Sequence, residues 1–185
     1  MKILGISGSL RRDSYNAKLL RAAEELLPAF VELEIWDGLK SVPPYDEDDD
    51  VQPAPPAVAA LRRAVAEADA ILFATPEYNS SVPGQLKNAI DWLSRPLAAN
   101  PLRNKPVAVI GASTGAFGAV WSQAELRKVL AATGARVAEA ELAVGHAHTR
   151  FADDGTLVDD DLRDQLREAL DVLLAELPAE LAVAV

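Results

Sequence analysis

Short apolar runs alternate with amphipathic stretches at least four times along this chain, the rhythm of β-α-β units around a parallel sheet. The runs place strands at about 2–6, 31–36, 69–75, 106–112 and 136–144. Ile71-Leu72-Phe73-Ala74 and Val107-Ala108-Val109-Ile110 are continuously apolar, as strands are when helices cover both sheet faces. Helices are expected near 14–27, 56–67, 83–94, 118–133 and 159–176. Helical spacing is plain in Val82, Leu86, Ala89, Ile90 and Leu93, and again in Leu162, Leu166, Leu170, Leu173 and Leu177. Pro83 suits a first helical turn, Gly134 a left-handed helix end, and the acids at 159–161 a helix start. Residues 41–56, with Pro43, Pro44, Pro53, Pro55, Pro56 and an acidic block, lack periodicity and read as a surface loop rather than a linker. The expectation is an α/β fold: a doubly wound, five-stranded parallel sheet with helices on both faces, in one domain spanning 1–185.

Composition narrows the possibilities. A chain of 185 residues that is half hydrophobic has enough apolar side chains for one full core. It contains no cysteine, which excludes disulfides, thiolate metal sites and a catalytic thiol, and the cytoplasm is the expected compartment. Met1 and Lys2 lead directly into a short strand, and no apolar run reaches the roughly 18 residues of a membrane span, so neither export nor a membrane anchor is expected. The formal charge of −10 opposes binding to DNA or RNA. Its acids gather at 46–50, 153–154 and 159–161, clusters that suit solvated loops and also docking between redox proteins.

Three polar loops follow strands and open helices, at 7–16, 75–82 and 112–118. In a sheet ordered 2-1-3-4-5 they are neighbours at the carboxyl ends of the strands, where such sheets bind ligands. In the first loop, helix-start N–H groups, the hydroxyls of Ser9 and Ser14, the Asn16 amide and the Arg11 cation can converge on one anion. The pattern fits neither the dinucleotide G-x-G-x-x-G nor the P-loop, so a phosphate monoester is the better match; a hydroxyl-rich cap beside a solvated arginine fits it too. The second loop, Thr75-Pro76-Glu77-Tyr78-Asn79-Ser80-Ser81-Val82-Pro83-Gly84, joins stiff backbone to an amide and a flat aromatic, which suits a planar heterocycle as well as a plain strand-to-helix turn. Glu77 is not assigned as an acid or base, since a carboxylate in a donor-rich loop can as readily orient neighbouring groups. The third loop, Gly111-Ala112-Ser113-Thr114-Gly115-Ala116-Phe117-Gly118, lets backbone approach a flat ring closely. His146 and His148 would share one face of a strand, but nothing near them completes a metal site. Trp36, Trp92 and Trp121 read as core or subunit-interface residues.

Gly8-Ser9-Leu10-Arg11 with Ser14 and Asn16, followed by Thr75-Pro76-Glu77-Tyr78-Asn79 and Ser81-Val82-Pro83-Gly84-Gln85-Leu86-Lys87-Asn88-Ala89-Ile90-Asp91-Trp92, resembles the NADPH-dependent FMN reductase family, which includes bacterial quinone, chromate and azo reductases. The resemblance implies a flavodoxin-like fold and non-covalent FMN. Ser9, Leu10, Arg11, Ser14 and Asn16 would surround its phosphate, Pro76, Glu77, Tyr78 and Asn79 would line its ring, and Ser113, Thr114 and Gly115 would complete the site. NAD(P)H would deliver hydride and a quinone or similar small acceptor would collect it, with no side chain assigned to acid-base chemistry. A homodimer or homotetramer is also implied, with the helix after the second motif at the interface. Two other readings stay open: a flavodoxin-like electron carrier and a flavin-binding redox sensor.

Overall fold

Every residue of the two central strands, β3 (Ala70–Thr75) and β4 (Pro106–Ala112), is buried, because helices lie on both sides of them. The computed structural model describes residues 1–177; positions 178–185 of the expected 1–185 domain lie outside the described residues. In chain order the remaining elements are β1 (Lys2–Ser7), α1 (Tyr15–Leu26), β2 (Glu32–Trp36), α2 (Pro56–Glu67), α3 (Gly84–Leu93), α4 (Val120–Ala132), β5 (Arg136–Val137), β6 (Ala143–Val144) and α5 (Asp160–Ala175). The sheet is parallel, in the order β2-β1-β3-β4-β5, with β6 also on β4.

Strand side chains alternate between two apolar layers. Ile3, Leu33, Leu72 and Ile110 meet α1 and α5 on one face. Leu4, Ile6, Phe73 and Val109 meet α2, α3 and α4 on the other. Each fully buried Leu, Ile or Phe contributes about 1.5–3 kcal/mol, so these two layers hold the sheet and carry its loops.

Local chemistry sets the helix limits. Ser14 Oγ accepts from the N–H groups of Asn16 and Ala17 at the start of α1, and the Asp159 carboxylate accepts from Leu162 at the start of α5. Gly134, at φ +86°, stops α4 in the left-handed conformation that residues with a Cβ resist. Pro83 stands one position outside α3, as its cap.

The 41–56 stretch is an ordered loop fastened to α2 and α3. Trp92 Nε1 and Asn88 Nδ2 both donate to the Pro43 carbonyl, at 2.9 and 2.8 Å, and Arg62 Nη2 bonds Asp50 at 2.9 Å.

One expectation is corrected. The fifth strand, expected as continuous over 136–144, is two short strands separated by residues 138–142. Val107 pairs with Val137 and Gly111 with Ala143, so β4 advances four residues while its neighbour advances six. Two extra residues bulge out of the ladder, and among the described residues the sheet has six strands rather than five.

Candidate functional site

The register brings the three loops level: Ser7 lies beside Ala74, and Thr75 beside Gly111, at the carboxyl ends of adjacent strands. Between the loops is an open crevice of about 180 Å³. Among the residues singled out in the sequence, Ser9, Arg11, Ser14, Asn16, Pro76, Glu77, Tyr78, Ser113 and Thr114 line it. Leu10, Asn79 and Gly115 stand outside its wall, while Tyr15 and Ala112 join it unforeseen. An aromatic opening a helix between Ser14 and Asn16 of the first motif was the available signal for Tyr15. Ala112 carries no chemistry in its side chain and gave none.

The first loop keeps unpaired donors. Among the described residues, no acceptor pairs with the N–H groups of Leu10, Arg12, Asp13, Ser14 or Tyr15. The Ser14 hydroxyl caps α1 through its oxygen, which leaves its O–H to donate elsewhere. Arg11 is exposed, and its guanidinium carbon lies 5.3 Å from the centre of the Tyr15 ring, which stacks on Phe151. Lys18 sits by the same ring and bonds Asp13 at 3.0 Å, holding that carboxyl below the usual aspartate range. A donor-rich loop steadied by an aromatic stack is chemically suited to a phosphate.

Asn16 has a different task from the one its position suggested. Its side chain is buried, donating through Nδ2 to the Ala112 carbonyl (3.0 Å) and accepting through Oδ1 from the Ala112 N–H (2.9 Å). This reciprocal pair ties the start of α1 to the end of β4, so the first and third loops cannot part. Only its second Nδ2 hydrogen is left for a ligand.

The second loop is a tight hairpin. Tyr78 and Ser81 exchange two backbone hydrogen bonds of 3.2 Å, with Asn79 and Ser80 at φ +52° and +60°, so Tyr78 stands half-exposed beside the crevice. Glu77 holds backbone of the next helix: its Oε2 accepts from the N–H groups of Trp121 and Ser122, at 3.1 and 3.2 Å. The residue at the cap position of α4, Ala119, has no side-chain acceptor, and Glu77 supplies one from the second loop. Beneath it, the Thr75 hydroxyl donates to the Pro76 carbonyl and so accepts from Ser122.

The third loop leans on the segment after β6. Ser113 N–H donates to the Val144 carbonyl, Ala147 N–H to that of Ser113, and His146 N–H to that of Gly115. His146 and His148 lie in an exposed turn rather than in a strand, their ring centres 6.3 Å apart. Trp92 is wholly buried and Trp36 partly so, whereas Trp121 is half-exposed, edge-on to Phe117 at 5.1 Å.

A doubly wound parallel sheet with three donor-bearing loops at its switch point defines a flavodoxin-like protein. Residues 1–149 match the NADPH-dependent FMN reductase family, and the chain belongs to it. An NAD(P)H-dependent FMN reductase of Pseudomonas aeruginosa is 42% identical over 174 residues, which are 94% of this chain and 93% of that protein. A 2-hydroxy-1,4-benzoquinone reductase of a Burkholderia species is 38% identical over 92% of this chain and 93% of its own. Among solved structures, the flavoenzyme NAD(P)H:(acceptor) oxidoreductase of Paracoccus denitrificans superposes with a TM-score of 0.85 at 33% identity, over 96% of this chain and 99% of that one.

Proposed function

We propose that this chain is an NAD(P)H-dependent FMN oxidoreductase that passes hydride equivalents from a nicotinamide, through non-covalent FMN, to quinones or similar small acceptors. The observation that carries this reading is the convergence of three loops on one crevice whose first wall includes Ser14 and Tyr15 with their unpaired N–H groups, the Ser14 hydroxyl and Arg11. When bound, FMN supplies the two-electron chemistry. The chain's own residues bind and orient. Ser9, Arg11, Ser14 and the free Asn16 hydrogen would hold the phosphate, Pro76, Glu77 and Tyr78 would flank the ring, and Ser113 and Thr114 would complete the site, with Leu10, Asn79 and Gly115 supporting these loops from just outside the wall. Glu77 serves here by fixing the loop, through its bonds to α4. Backbone donors beside the ring would stabilise negative charge on it.

Titrating the purified protein with FMN, then adding NADPH and benzoquinone, tests the proposal. Stoichiometric binding followed by quinone-dependent NADPH oxidation is expected; a protein with no affinity for FMN overturns it. The acidic surface supports a second reading as an electron carrier, which would bind FMN yet leave NADPH unoxidised.

The absence of cysteine supports a cytoplasmic setting, and among the described residues no helix is long and apolar enough to cross a membrane. A groove of about 370 Å³ between α3 and α4, with Leu97 60% exposed at its edge, supports a homodimer or homotetramer, which light scattering would measure.

A further inference from the structure

The two extra residues in the fifth strand leave a gap in the ladder, and one side chain fills it. Ala138 N–H still bonds the Val107 carbonyl, and Gly111 N–H bonds that of Leu142. Continuing the first register would pair Ala140 N–H with the Val109 carbonyl, but the bulge turns the Ala140 carbonyl toward the gap instead. Two acceptors then face each other with no backbone donor between them. Arg127 Nη2, reaching down from α4, donates to both, at 3.0 Å to Val109 and 2.6 Å to Ala140. Glu141 lies 3.9 Å from Nη1, and Gln123 Oε1 3.4 Å from Nη2, while Nε is buried with no partner among the described residues. A guanidinium held with one nitrogen unsatisfied is an unusual way to complete a sheet.

What lies immediately beyond the gap is the support of the third loop. Once the strand rejoins at Ala143–Val144, it gives Ser113 its backbone acceptor, and the turn that follows bonds Ser113 and Gly115. The approach is close: a Cβ on Gly145 would collide with the Ala116 carbonyl. The height at which this segment leaves the sheet therefore fixes where Ser113 and Gly115 stand.

We propose that Arg127 is a positioning residue for the cofactor crevice: by bridging the Val109 and Ala140 carbonyls it holds the bulged 138–142 segment, and through Val144–Ala147 it sets the third loop. The cofactor part of this assignment rests on the FMN reading above; the mechanical part does not.

Hydrogen exchange on FMN-free protein separates the two. In R127M, the amides of Ser113, His146 and Ala147 should exchange at least about tenfold faster, with those of β1 and β3 unchanged. FMN should bind about tenfold more weakly, with an altered visible circular dichroism band. In R127K both effects should be largely restored, because a single nitrogen serves both carbonyls and an ammonium can take that place. If R127M does not accumulate as folded protein, R127Q takes its place in the same comparison. Unchanged exchange at the three amides, or an equal acceleration across the whole sheet, overturns the assignment. Wild-type protein that fails to bind FMN would remove the functional reading and leave the exchange result to decide the mechanical one.

Discussion

Arg11 and Glu77 show how differently two charged residues can contribute to one crevice. Arg11 lies exposed over the Tyr15 ring, free to reach an anion, and its worth is that of one charge-assisted contact. Arg11→Ala should raise the FMN dissociation constant on the order of tenfold, measured by quenching of flavin fluorescence. Unchanged affinity would mean that the backbone donors hold the phosphate alone. Glu77 acts instead on the protein, as the borrowed cap of α4. Glu77→Ala should therefore lower stability by about 1 kcal/mol, the usual cost of a lost cap, read from urea denaturation of the FMN-free protein. The sequence showed that these residues belong together but not which partner each takes, because the Trp121 and Ser122 N–H groups lie 44 and 45 positions away.

At the level of elements, α1 is anchored at its start by Asn16, whose amide completes the backbone bonding of Ala112. Asn16→Ala leaves a buried N–H and C=O without partners and should cost about 2–3 kcal/mol. Chemical denaturation would measure it, and Asn16→Asp, which can accept but not donate while ionised, should recover only part. Lys18, two residues further along, ties Asp13 to the helix. Because the folded-state pKa of Asp13 is depressed, this contact stabilises above the ordinary aspartate value of 3.8 and is lost as pH falls through the lower folded value. The difference in melting temperature between wild type and Lys18→Met should be present at neutral pH and vanish in strong acid. Helix periods and caps were legible because each is local: α2 lies where its spacing put it, and Ser14 and Asp159 cap where hydroxyl and acid precede apolar repeats. The fifth strand was not, since Ala138 to Leu142 alternates small, acidic and apolar residues as an edge strand would, and its filler Arg127 sits on the preceding helix.

For the molecule as a whole, the strand order that brings the three loops together was implied by the family resemblance of the loop motifs, whereas the parallel sheet was readable from the succession of apolar runs, because parallel crossovers leave few alternatives. The positions of Leu10, Asn79 and Gly115 outside the crevice wall were not, since one turn of backbone decides whether a motif residue points in or out. The surplus in the fifth strand also bears on which changes of length this chain can tolerate. Strand side chains alternate faces, so the surplus of two leaves Val144 in the core and Ala143 in solvent. Deleting Glu139 alone should turn Val144 outward and abolish the cooperative melt followed by circular dichroism. Deleting Glu139 and Ala140 together, with Arg127→Leu because a continuous ladder would leave the guanidinium no carbonyl to bond, should keep it. Along this edge, insertions and losses are accepted in pairs.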